Sequence, residues 1–164
     1  MTDEKKQEFT LRISQANQSQ LIVILYELFF YYIEEADNAY AGADYVGFCK
    51  ELQKAHDCLN ELIASLHTGS DDAQVEELAR TILKVYFFVS ARIGSASGSK
   101  KKEPLADAVR MMQKLYKTYK EDAVNDTSAP VMGRAQTVYA GLTYGKNDLN
   151  VSLEDGSAGR GFYV

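Results

Sequence analysis

The sequence predicts an all-α fold: an antiparallel up-down four-helix bundle with a short N-terminal segment and an irregular, Gly-rich C-terminal tail. Three observations lead there. Four stretches repeat apolar residues every three or four positions, clusters of Gly, Ser and Asp separate them, and the links between the first three stretches are short enough to require antiparallel neighbours. A chain of 164 residues can bury one core without a disulfide or a structural metal. The expected organisation is an N-terminal segment over residues 1–16, a bundle over 17–122 and a tail over 123–164.

The first stretch begins at Asn17, where Asn17-x-x-Gln20 is a capping-box pattern, and ends near Ala41-Gly42. The second starts after Asp44 and places Tyr45, Phe48, Leu52, Ala55, Leu59, Leu62 and Leu66 along one seam of coiled-coil type. The third follows "TGSDD", with Asp71-x-x-Gln74 as a second capping box. It turns Val75, Leu78, Ile82, Tyr86, Val89 and Ile93 to one side. The connector "GSASGSKKKE" then has the composition of a mobile loop. The fourth stretch opens with Pro104 in its first turn and repeats Leu105, Ala108, Met112, Leu115 and Tyr119. After Asn125 the helical period stops, and residues 125–164 hold six glycines, as a solvated tail would. Val138, Ala140, Leu142 and Tyr144 nevertheless alternate there, a pattern that also suits a docking segment.

"QLIVILYELFFYYIEEA", from Gln20 to Ala36, is unusually apolar for a bundle helix. With Leu21 at 0° and 100° per residue, Leu21, Leu25, Phe29, Tyr32, Ile33 and Ala36 fall between about 0° and 120° and form the expected core face. Glu27, Glu34 and Asn38 make a narrow water-facing stripe at about 220° to 260°. Apolar flanks remain on both sides of it: Ile24, Leu28 and Tyr31 on one, Val23 and Phe30 on the other. The third stretch has a similar surplus, with Val85 and Phe88 on one side of its core stripe and Phe87 on the other. Such flanks suit either a groove for a partner's amphipathic helix or the interface of a homodimer. Ile24, Leu28, Tyr31, Val85 and Phe88 are the expected partner-binding residues.

Chemistry finds little support. A carboxylate-bridged metal site in a bundle needs Glu-x-x-His pairs, and no Glu stands three residues before His56 or His67. Cys49 and His56 share a helix face but lie about 10.5 Å apart along the axis, too far for one ion. His56 is expected at the core edge, and His67 at a helix end whose dipole favours it. Cys49 and Cys58, nine residues apart, point to opposite sides of one helix and cannot bridge there, which suits a reducing compartment. No phosphate loop or nucleophile elbow is present in the sequence, so neither catalysis nor a cofactor is expected. A net charge of −5 offers no basic field for nucleic acid or anionic lipid. The opening "MTDEKKQEFT" lacks the apolar core of a signal peptide, and no run is suited to span a bilayer, so a cytoplasmic protein is expected. Eleven tyrosines, among them Tyr26, Tyr31, Tyr40, Tyr86 and Tyr116 on or beside the apolar stripes, suit surfaces covered part of the time or core edges.

"RISQANQSQLIVILYELFFYYIEEA" resembles the start of the flagellar secretion chaperone FliS family. The matching positions are Ile13, Ala16, Asn17 in place of the capping Ser, Leu21, Ile22, Leu25, Tyr26, and Glu27 in place of an Asp. The resemblance continues in helix order and length over roughly residues 9 to 122. Gln18 replaces the usual Pro and Leu28 the usual Gly, and the family's N-terminal Tyr is missing, with Phe9 nearby. The resemblance implies a cytoplasmic, non-enzymatic chaperone that binds the C-terminal helical segment of flagellin. It would keep flagellin from polymerising before export and deliver it to an export-gate component, its own N-terminus moving aside for the client. The oligomeric state expected is a monomer or a weak homodimer.

Overall fold

The computed structural model describes residues 1–132, and every regular element among them is a helix. The helices are α1 (Asp3–Gln15), α2 (Gln18–Ala41), α3 (Tyr45–Ser65), α4 (Ala73–Ser99) and α5 (Leu105–Asn125). α2 packs on α3 and α5, and α4 also packs on α3 and α5, so these four close a ring of neighbours; α1 packs on α2. Val138, Leu142 and Tyr144 lie outside the described residues.

Side-chain caps mark the starts of α2, α3 and α4. Asn17 caps α2, its Oδ1 accepting from the Gln20 amide while the Gln20 side chain accepts from the Asn17 amide, as the sequence pattern expects. Asp44 caps α3 by accepting from the Gly47 amide at 2.8 Å. A Cβ at position 47 would collide with that carboxylate, so glycine stands there because the cap comes so close. α4 is capped by Asp72 rather than by Asp71. The Asp72 carboxylate reaches the amides of Gln74 and Val75, one register later than the capping-box pattern suggests.

The core unites Tyr26 and Phe29 of α2, Phe48, Leu52, Leu59 and Leu62 of α3, Tyr86, Val89 and Ile93 of α4, and Ala108 and Met112 of α5. The Tyr26 and Tyr86 hydroxyls meet at 2.7 Å across the ring, so two tyrosines are satisfied in an apolar interior. Burial holds both hydroxyls well above the ordinary tyrosine range; Tyr86 adds to the rise at Tyr26, whereas at Tyr86 the hydrogen bond with Tyr26 partly offsets it. His56 sits at the core edge as expected, its Nε2 within 2.8 Å of the Ser90 hydroxyl on α4. Both cysteines are free, and burial pushes the Cys58 thiol up to about 11.

Several expectations are corrected. The N-terminal segment expected over residues 1–16 contains α1. The "GSASGS" part of the expected loop is the last turns of α4, because Ile93 and Ala96 stay buried there and the small residues between them do not break the helix. The connector shrinks to residues 100–104, begun by Lys100 in the left-handed region at φ 53°. Tyr45, Val75 and Leu78 are exposed rather than core, because they lie in the first turns of α3 and α4 beyond the packed middle. Gly94 and Gly98 have open space where a Cβ would stand. Each replaced by Ala is expected to raise stability by about 0.5 to 1 kcal/mol, read as a higher urea midpoint at unchanged slope.

Candidate partner-binding site

The site is built on the α2 flank that the sequence leaves without a cover. Leu21, Ile24, Leu28 and Tyr31 recur at three and four residues, so they line one face of the helix. α1 lies along this face: Phe9 and Ala16 pack with Ile24 in a second cluster, against which Leu21 and Leu28 are also packed. Ile24 is thereby 4% exposed, while Leu28 and Tyr31 stay half-buried.

α1 is weakly invested in this contact. Phe9 is its one buried residue, and Leu11 remains 58% exposed. A helix of this length is marginal in water by itself, so the order of α1 depends on docking. Burying one phenyl ring contributes about 1.5 to 3 kcal/mol. Its polar tie is Arg12, paired with Glu27. That tie is half-exposed and adds about 0 to 1 kcal/mol.

Glu27 is corrected from a water-facing residue to a junction. One carboxylate oxygen accepts from the Arg12 guanidinium on α1, and the other from the Tyr116 hydroxyl on α5 at 2.9 Å. Glu34 and Asn38 do remain exposed. The opposite flank, Val23 and Phe30, turns toward α5, where Phe30 meets the Tyr116 ring edge-on at 5.6 Å. Beside it an α2–α5 cleft of about 840 Å³ is walled by Phe30, Ile33, Leu105, Val109 and Tyr116, with Lys102 and Asp37 paired at its rim.

Ile24, Leu28 and Tyr31 are therefore brought together under or beside α1. Val85 and Phe88 are not part of that surface. They are half-buried on α4, whose neighbours are α3 and α5, and the Arg92 guanidinium lies over the Phe88 ring at 4.9 Å. Sequence reasoning noted Phe9 only as near the position of the family's Tyr, gave it no contact, and missed Arg12. Their spacing of three was the available signal, but a single aromatic in a strongly charged stretch reads as solvated chain.

At the far end, the chain after α5 folds back over the α1–α2 corner. Asp126 accepts from the Ser19 hydroxyl at 2.6 Å, and this bond, with the Ser128 amide, holds the Asp126 carboxyl down at about 2. A cavity of about 570 Å³ opens beside it, lined by Arg12, Ala16, Val23, Ile24, Lys120 and Val124.

No helix of the described residues is long and apolar enough to cross a membrane. No curated protein matches the chain closely enough to be compared with it. The family model for the flagellar protein FliS matches residues 1–127, which span α1 to α5 and the first residues after them. The match covers the same helices whose first motif resembles that family, and on it the chain belongs to the FliS family of flagellar secretion chaperones.

Proposed function

We propose that this protein is a cytoplasmic, non-enzymatic export chaperone that binds the C-terminal helical segment of flagellin. It prevents premature polymerisation and hands its client to an export-gate component. The ring of α2 to α5 serves as an antiparallel up-down four-helix bundle that presents the binding surface. Ile24, Leu28 and Tyr31 receive an amphipathic client helix where α1 now lies, and α1 yields to it. Val85 and Phe88 offer a separate contact on α4 for a client long enough to wrap round the bundle.

One observation supports this reading above the others: an apolar strip on the most apolar helix is covered by a short helix anchored through a single ring. A client offering several apolar anchors gains roughly 1.5 to 3 kcal/mol for each large side chain removed from water, more than α1 gains in the same place. A homodimer closing the same flanks is the other reading, and α1 already covers the Ile24 flank within one chain.

Calorimetry with a synthetic flagellin C-terminal peptide tests the proposal. Micromolar or tighter binding is expected, about 8 kcal/mol or more. Sedimentation at low micromolar concentration is expected to give a species near 18.3 kDa. A peptide that fails to bind, together with a stable dimer in which Leu28 is protected, would replace the chaperone reading with the dimer.

A further inference from the structure

We infer that the segment after α5 is a latch on the hinge of α1, so that release of the strap and lifting of α1 are one coupled event. The link between α1 and α2 is Ala16-Asn17, and both residues are 2% exposed. Four hydrogen bonds from more than 100 residues away fasten this link and the neighbouring Ser19. Asn17 Nδ2 donates to the Asp126 carbonyl at 2.9 Å and approaches the Ser128 carbonyl at 3.4 Å. The Ser19 hydroxyl donates to the Asp126 carboxylate, and the Val131 amide donates to the Ala16 carbonyl at 3.0 Å.

Asn17 thus has two functions in one side chain. Its Oδ1 caps α2, which the sequence already predicts, and its Nδ2 holds the strap. Swinging α1 off α2 requires rotation about the backbone of Ala16 and Asn17. That rotation turns the Ala16 carbonyl away from Val131 and displaces Nδ2 from Asp126. The strap therefore adds to the cost of opening α1, although it touches the hinge rather than the apolar strip. It borders the same corner cavity as Ile24 and Val23, which places the latch at one end of the proposed client surface.

The consequence for client binding rests on the function proposed above; the mechanical coupling does not. Asn17→Asp in the full chain separates the two roles of the residue, since Asp is as good a helix cap as Asn but cannot donate to the strap. Combined with Ser19→Ala, it removes both Nδ2 bonds and the Ser19 bond and turns a carboxylate oxygen toward the Asp126 carbonyl, so it is expected to speed amide exchange across α1 at least tenfold. Exchange in the middle of α2 to α5 should not change. Ser19→Ala alone is expected to give about threefold and keeps the test open if the double variant folds poorly. The flagellin peptide is expected to bind the double variant several-fold more tightly. Faster exchange confined to the strap, with α1 unchanged, overturns the coupling, and so does acceleration spread evenly over all helices. Faster exchange in α1 with no peptide binding to either protein leaves the latch standing and removes the client reading.

Discussion

Phe9→Ala is expected to undock α1 and tighten binding of the flagellin peptide about tenfold. The ring is the sole buried residue of α1, and truncating it removes most of the apolar area that orders the helix. With docking weakened by about 2 kcal/mol, the fraction of molecules with an open strip rises, and apparent affinity rises with that fraction. Hydrogen exchange across residues 3–15 should become fast, while α2 to α5 keep their protection, because Phe9 lies in a cluster apart from the main core. Unchanged affinity together with fast exchange in α1 would show that α1 does not compete with the client.

Leu28→Asp is expected to move affinity the other way, weakening the peptide at least tenfold, about 1.4 kcal/mol. Leu28 is half-buried between the α1 cluster and the main core, so a carboxylate there meets solvent when α1 lifts but is desolvated beneath a client helix. The helical circular dichroism of α2 to α5 should persist. Both substitutions loosen α1, one by removing its anchor and the other by spoiling its seat. Opposite changes in affinity therefore separate occlusion from recognition, which neither variant does alone. Leu28→Asp with undiminished affinity would take this flank out of the site.

The opposite signs depend on a surface that was half legible in the sequence. The apolar flank Ile24, Leu28 and Tyr31 follows from helical angles alone, and so do the four long helices and the cap at Asn17. What covers the flank does not follow, because helical periodicity reports faces and not their partners. α1 was illegible because one buried Phe in a strongly charged stretch gives almost no amphipathic signal. The end of α4 was hidden by composition, since Gly and Ser suggest a linker while the buried Ala96 among them keeps the helix in place. Tyr26, expected on or beside an apolar stripe, is fully buried. α2 meets α1, α3 and α5, which widens its buried arc beyond what two neighbours would need. Val85 and Phe88 looked like part of one groove because angles on separate helices carry no information on which helices adjoin.

Glu27 gives the exposed strip a polarity. When α1 lifts, the Arg12 guanidinium leaves with it, but the Tyr116 hydroxyl stays on the other oxygen and keeps the carboxylate facing the edge of the strip. A replacement helix that brings only apolar side chains would leave that carboxylate without a counter-charge in a drier setting than before. One that carries a basic residue three positions after a large apolar one, as Arg12 follows Phe9, would restore the pair. If the proposed client takes the place of α1, a sequence with its cation at that offset, laid down in the same direction as α1, is the one expected to bind best.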